Sequence, residues 1–234
     1  MERTQIYEQG GDNLAANHGN HKMCVRNVPI FNHLTEEEMN EVFRKVESRS
    51  YAKHGHLYMA GEPKDSLFVL HRGKIRIYRL NEEGREQLIR VLMPGDFTGE
   101  LALFGEDALH DSYAEIVQDS RVCEIRKSDL YVLLKEYPDI GIKIIERFSR
   151  RLNEVEQQAT NIALLNSEER LIEYIRTHAD DEDLLTLGMT KKDLASYLSM
   201  QPETLTRIFK KLESDGVIGK VDNRVYRVLD YSIL

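Results

Sequence analysis

One apolar edge constrains this chain more than any other feature. Between Ile140 and Leu165, the residues Ile145, Phe148, Leu152, Val155, Ala159 and Ile162 recur in steps of three and four without a break, which is the a/d seam of a coiled coil. Glu146, Arg147, Arg150, Arg151, Glu154, Glu156 and Gln157 lie between them. A helix built here therefore has one narrow apolar stripe and is wet elsewhere. A helix packed into its own domain usually shows a wider face, so the pattern predicts a parallel dimer helix over residues 138–166. On that reading, residues 23–137 form a sensing domain and residues 167–234 an output domain.

Composition bounds what the two ends can do. At 234 residues and 41% hydrophobic content, the chain has room for two units with real cores. No apolar run approaches the roughly 20 residues that cross a bilayer, and the N-terminus lacks a signal-peptide core, so the expectation is a cytoplasmic protein with no membrane partner. Two cysteines, Cys24 and Cys123, are too few for a secreted disulfide framework. The net charge of −8 is unevenly spread: from Gly188 onward, eight Lys/Arg outweigh six Asp/Glu. The C-terminal segment is thus the mildly basic part of an acidic protein, which permits nucleic acid as its partner.

Residues 1–22 are poor in apolar side chains and read as a flexible arm. Within and just beyond it, His18, His21 and Cys24 have the spacing H-x2-H-x2-C, ligand types that suit a metal. Thr35 with Glu38 is a capping box, and Met39, Val42, Phe43 and Val46 follow at helical spacing. From Ser50 to Ile125, short apolar runs such as 67–70, 74–78 and 87–92 alternate with glycine-rich turns, which predicts an antiparallel barrel or sandwich closed against exposed edges. A short helix over 129–136, capped by Ser128, precedes the seam, and a helix opening at Ser167 follows it.

The last segment carries the clearest chemistry. Thr190 caps a helix that ends at Leu198, Ser199 to Gln201 form a tight turn, and a second helix starts at Pro202. Leu205, Ile208, Phe209 and Leu212 form its buried face, while Glu203, Thr206, Arg207 and Lys210 project outward. Residues 216–228 read as a two-stranded wing. This is a winged helix-turn-helix: an exposed Arg can bond bidentately to guanine and an exposed Glu can accept from cytosine. The bland alternative is an i,i+4 Glu203–Arg207 pair on a solvated helix.

An N-terminal helix, a barrel bearing Gly99, Glu100 and Leu101, a long dimer helix and a helix-turn-helix with the run Pro202 to Arg207 together resemble the CRP/FNR family of bacterial transcription regulators. The resemblance runs from about Cys24 to Tyr226. It implies an α+β fold with a jelly-roll barrel, and a homodimer on a palindromic double-stranded operator with RNA polymerase as a further partner. Glu203 and Arg207 would then be base readers, with Thr206 standing where the FNR branch has Ser, and Thr190, Gln201, Thr204 and Lys210 beside them. Ser199 departs from the Gly usual at the turn, and Ser is strained if φ is positive there.

In the cyclic-AMP branch, an Arg ten residues after the Glu meets the cyclic phosphate. Here that position is His110, followed by Asp111, and Val155 with Glu156 replace the Thr and Ser offered to adenine. An imidazole beside a carboxylate replaces a bidentate guanidinium poorly. Cyclic AMP is therefore expected to bind weakly or not at all in a pocket of Gly99, Glu100, Leu101, His110 and Asp111, and its effector stays unnamed. By the same resemblance, Cys123 sits at the FNR barrel cysteine and Cys24 at the last cysteine of the N-terminal cluster. Three readings stay open: a reversible Cys24–Cys123 disulfide, a His18, His21, Cys24 and Cys123 site for a metal or iron–sulfur cluster, or two ordinary thiols. A contrasting function is a cyclic-nucleotide-binding effector whose C-terminal unit docks a protein. An enzyme is not expected, since no Ser/His/Asp order, P-loop, dinucleotide fingerprint or HExxH helix is present.

Overall fold

The computed structural model describes residues 28–63, 65–100 and 109–232. His18, His21, Cys24 and Leu101 lie outside them. The chain divides into two units, one drawn from residues up to Arg79 and from Arg90 to Ser149, the other from Leu80–Ile89 and Arg150 onward.

The first unit begins with α1 (Glu36–Arg44). The Thr35 hydroxyl accepts from the Glu38 amide at 3.3 Å, and the Glu38 carboxylate accepts from the Thr35 amide at 2.8 Å. The predicted capping box is thus complete and satisfies two otherwise orphaned donors. Six strands follow: β1 (Glu47–Tyr51), β2 (His56–Tyr58), β3 (Ser66–Leu80), β4 (Glu86–Leu92), β5 (Phe97–Thr98) and β6 (Tyr113–Arg126). β3 and β6 pair antiparallel from Ser66 opposite Arg126 to Tyr78 opposite Tyr113. The sequence pattern broke β3 into two strands at His71–Gly73. The structure keeps one strand with register shifts there, centred on Gly73 at φ +103°, where any Cβ would run into Ser120 and the Asp119 carbonyl. A bulge absorbs the extra residues without ending the strand.

The expected antiparallel jelly-roll type of sheet is present, but among the described residues it does not close into a barrel. The described strands form an open sheet in the order β1-β6-β3-β4, with β2 on β6 and β5 on β3. β2 has three residues and β5 two, too few to carry the ladder from β4 round to β1.

β6 runs directly into α2 (Lys127–Glu136). The helix starts at Lys127, two residues before the expected Asp129, and Arg126 rather than Ser128 occupies the cap position, without a side-chain bond. The Lys127 amide instead donates to the Asp65 carbonyl at 2.6 Å, so a neighbouring loop does the work of a capping side chain. The long helix α3 (Pro138–Leu164) comes next. Its Ile140 and Ile144 are buried with Leu67, Val69, Phe97, Cys123, Ile125, Leu130 and Leu133.

In the second unit, α4 (Ser167–His178) is capped by Asn166, whose side chain accepts from the Glu168 and Glu169 amides. Next come β7 (Leu184–Thr186), α5 (Lys191–Tyr197), α6 (Pro202–Ser214), β8 (Ile218–Asp222) and β9 (Val225–Val228). The wing sheet has three strands in the order β7-β9-β8, where the sequence suggested two. The three-residue β7 carries too little alternation to be read as a strand by itself. Leu171, Ile175, Leu194, Leu205, Phe209 and Tyr226 are all buried in the core of this unit. Each such side chain contributes about 1.5–3 kcal/mol on burial.

Candidate nucleic-acid interface

The helix-turn-helix is held together at its turn. Thr190 caps α5, accepting from the Asp193 amide at 3.1 Å and donating to the Asp193 carboxylate at 2.7 Å. Its hydroxyl is therefore committed to the helix end. At the other end, the Ser199 amide donates to the Ser196 carbonyl and the Met200 amide to the Ala195 carbonyl, at 3.1 and 2.9 Å. This is the Schellman pattern, with Ser199 in the left-handed position usually held by Gly. Ser199 has φ +52°, so the strain anticipated from the sequence is present.

Arg170 of α4 braces this turn. Its guanidinium donates to the carbonyls of Leu198 (2.8 Å), Ser199 (3.2 Å) and Leu165 (2.7 Å). The sequence offered no signal for this role, because the three acceptors are backbone atoms that only the fold gathers. Lys191 is the other unforeseen brace: its ammonium lies 4.3 Å from the Phe209 ring centre and 5.3 Å from that of Tyr226, a cation–π clasp between α5, α6 and β9.

On this frame, α6 turns Leu205, Ile208, Phe209 and Leu212 inward. Glu203, Thr206, Arg207 and Lys210 line one open recess with Pro202 on the outside. Thr206 donates back to the Pro202 carbonyl at 2.9 Å. Glu203 and Arg207 form no ion pair with each other, and neither has a hydrogen-bond partner among the described residues. The solvated-pair alternative is thus not what this helix adopts. Gln201 is exposed at the cap position without a side-chain cap bond, and Thr204 is half-buried behind this face. Lys211 leaves it, reaching Glu168 at 2.6 Å, which holds its ammonium above the usual range. Lys220 and Arg224, on the exposed wing hairpin, add basic groups that the sequence analysis did not single out.

The other predicted cluster is different. Gly99 has φ +91° and backs so closely on the Ser66 carbonyl that a Cβ would collide. Glu100 is 2% exposed and pairs with Arg90 at 3.1 Å. His110 is buried and stacks on Tyr58 at 3.7 Å, the Tyr58 hydroxyl meets Thr98 at 2.7 Å, and Asp111 pairs with Arg79. On α3, Ile145, Leu152 and Val155 are 63, 59 and 50% exposed, and Ala159 and Ile162 are exposed too. Phe148 instead packs edge-on against Phe97 at 6.2 Å. Cys123 is buried on β6 opposite Ser48 and Val69.

A sheet-based unit joined through a long helix to a winged helix-turn-helix defines a class of DNA-binding transcription regulators, and comparison with known proteins agrees. Residues 48–137 match the cyclic nucleotide-binding domain, and residues 169–234 match the Crp-like helix-turn-helix domain. The probable transcriptional regulator flp of Lacticaseibacillus casei is 30% identical over 210 residues, covering 88% of this chain and 94% of that protein. The anaerobic regulatory protein of Pasteurella multocida is 29% identical over 196 residues, covering 80% and 70%. Among solved structures, CooA from Carboxydothermus hydrogenoformans superposes with a TM-score of 0.76 at 17% identity, covering 91% and 96%. The chain belongs to the CRP/FNR family of DNA-binding transcription regulators, and its relatives are regulators rather than enzymes. The Lacticaseibacillus relative supports the FNR-like branch of low-GC Gram-positive bacteria. Among the described residues, no helix is long and apolar enough to cross a membrane.

Proposed function

We propose that this regulator acts as a homodimer zipped along α3, placing its two α6 helices in successive major grooves of a palindromic operator, with the first unit setting DNA affinity in response to redox state or a small effector. The observation that carries the reading is the outer face of α6. Glu203 and Arg207 stand one turn apart, exposed and uncommitted, on a helix whose opposite face is fully buried. Arg207 reads guanine and Glu203 accepts from cytosine. Lys210, Gln201, Thr204, Lys220 and Arg224 position the duplex through its backbone, and Thr190 presents the amino end of α5. RNA polymerase is the further partner that a promoter-bound regulator meets.

The exposed apolar stripe of α3 supports the dimer, since a helix stripe of this kind is covered by an identical helix in a coiled coil. Half-site spacing then follows from the twofold axis. The effector is not cyclic AMP on this reading, because His110 and Asp111 are engaged with Tyr58 and Arg79 and supply no guanidinium for a cyclic phosphate. The redox reading rests on Cys123, buried beneath the sheet, and on Cys24 upstream. Mass-spectrometric thiol counting after mild oxidation should show both thiols lost within one chain. An unchanged count leaves the small-effector route.

The experiment for the DNA reading is a gel shift with a palindromic duplex, alongside sedimentation of the free protein. Wild type should bind the full palindrome, and Arg207→Ala should lose it while sedimenting as the same dimer. Equal shifts for wild type and Arg207→Ala, or a monomer at micromolar concentration, would overturn the proposal.

A further inference from the structure

We infer that a cleft inside the second unit, between the C-terminal half of α3 and helices α4 and α5, binds a small organic cation, with the carboxylate of Glu154 as counter-ion and the rings of Tyr174, Tyr197 and His178 as its aromatic wall. The cleft measures about 600 Å³ and is lined on α3 by residues 153, 154, 157, 158, 161 and 162, and by residues of α4 and the end of α5. That is the size range of small-ligand sites. It goes beyond the DNA reading and does not rest on it.

Three observations converge on a cation. First, the two arginines that line the cleft are already used. Arg176 makes two bonds to Glu173, at 2.9 and 2.7 Å, and Arg170 is spent on the carbonyls of the helix-turn-helix turn. Glu154 is the remaining charged lining residue, and no hydrogen bond or ion pair engages it among the described residues. The two carboxylates and two guanidiniums of the lining balance, and Glu154 is the carboxylate left to face a ligand, while the Arg170 guanidinium is turned to the carbonyls of the turn.

Second, one wall is aromatic. Tyr174 and His178 stack with centroids 4.0 Å apart, and Tyr197 meets Tyr174 at 6.2 Å and 67°. Ring faces attract cations within about 6 Å, and quaternary ammonium ligands are held by such groups of rings. Third, the wall does not oppose a cation. Burial holds His178 below the usual imidazole range, so it is a neutral ring near pH 8, and burial pushes the Tyr174 hydroxyl up to about 12, so it stays a phenol. The field of Glu154 reaches both His178 and Tyr197, opposing part of the His178 shift and raising Tyr197 further, which places the carboxylate beside this wall. The cleft is also braced, for Gln158 donates to the Tyr197 carbonyl at 2.8 Å.

The test uses the full chain, free of DNA, at pH 8. Choline chloride is titrated by calorimetry and by thermal unfolding, against sodium chloride at equal ionic strength and against 3,3-dimethyl-1-butanol, the uncharged isostere of choline. Choline should bind saturably and raise Tm, and the isostere should do neither. Glu154→Gln, on an exposed position, should weaken choline binding by about tenfold or more, while Glu156→Gln on the same helix outside the cleft should leave it unchanged. The inference is overturned by no saturable choline binding, by equal effects of choline and its isostere, or by undiminished binding in folded Glu154→Gln. Failure here leaves the gel-shift result untouched, and loss of DNA binding in Arg207→Ala leaves this result untouched.

Discussion

The cluster around Glu100 and the outer face of α6 were singled out by the same kind of reasoning, charged residues in a family pattern, yet they are physically opposite. In the first, every charged group has a partner: Glu100 meets Arg90 in the interior and Asp111 meets Arg79 at the surface, while His110 lies against Tyr58. On α6, Glu203 and Arg207 have no hydrogen-bond or ion-pair partner among the described residues. A paired, buried charge is part of the architecture, and its removal leaves its partner desolvated and alone. An unpaired exposed charge contributes little to folding and is available to an outside partner. The same mutation type should therefore hit stability at one place and binding at the other.

Glu100→Ala should produce the largest effect. It removes the carboxylate that balances the Arg90 guanidinium, which is 22% exposed and also donates to the Phe97 carbonyl, and should cost about 3 kcal/mol of unfolding free energy, seen as a lowered urea midpoint. An unchanged midpoint would mean that the pair is not structural. Arg207→Ala is the mirror experiment: stability within about 0.5 kcal/mol of wild type, but operator affinity reduced by about 1–3 kcal/mol, with relaxed preference at one base pair. Lys210→Ala should weaken specific and non-specific DNA alike and lower the salt dependence by about one ion. If Arg207→Ala behaved like Lys210→Ala, the division between reading and positioning would fail.

Smaller effects test the frame beneath α6. Ser199→Gly relieves a left-handed residue and should stabilise by about 0.5–1 kcal/mol, read as a higher Tm. A lower Tm would show that the serine side chain itself is needed. The smallest effect concerns pH. Burial lowers the His178 pKa, against partial opposition from the Tyr174 carbonyl bond and Glu154. The folded state then binds fewer protons than the unfolded one below the ordinary imidazole value of about 6.5. Stability contributed by the neutral ring is present above that value and declines as pH falls from it toward the lowered one. His178→Gln should flatten the pH dependence of Tm between pH 7 and 5. An identical slope would assign it to other groups, His71 among them.

Much of the helix-turn-helix was legible because its signals are local. Thr190 at a cap, Pro202 at a first turn and apolar residues three and four apart each act within one helical turn, so they survive being read without the fold. The same locality explains the misses. β7 is three residues long, β3 bridges its break with a bulge, and Arg126 caps α2 only because Asp65 reaches its first amide. Arg170 and Lys191 look like ordinary surface cations until the carbonyls of Leu198 and Ser199, or the rings of Phe209 and Tyr226, are brought to them.

The seam helix shows both sides at once. Its period alone pointed to a helix with an apolar edge over residues 138–166, of which Pro138–Leu164 is helical, since a 3.5-residue repeat can be satisfied in few other ways. That Phe148 leaves the edge for Phe97 while Leu152 and Val155 stay exposed was decided only by packing. Likewise, the residue types at 100, 110 and 111 were plain in the chain, but that they would meet Arg90, Tyr58 and Arg79 was not. A charge finds its partner across tens of residues through the tertiary structure, and no spacing along the chain encodes that distance.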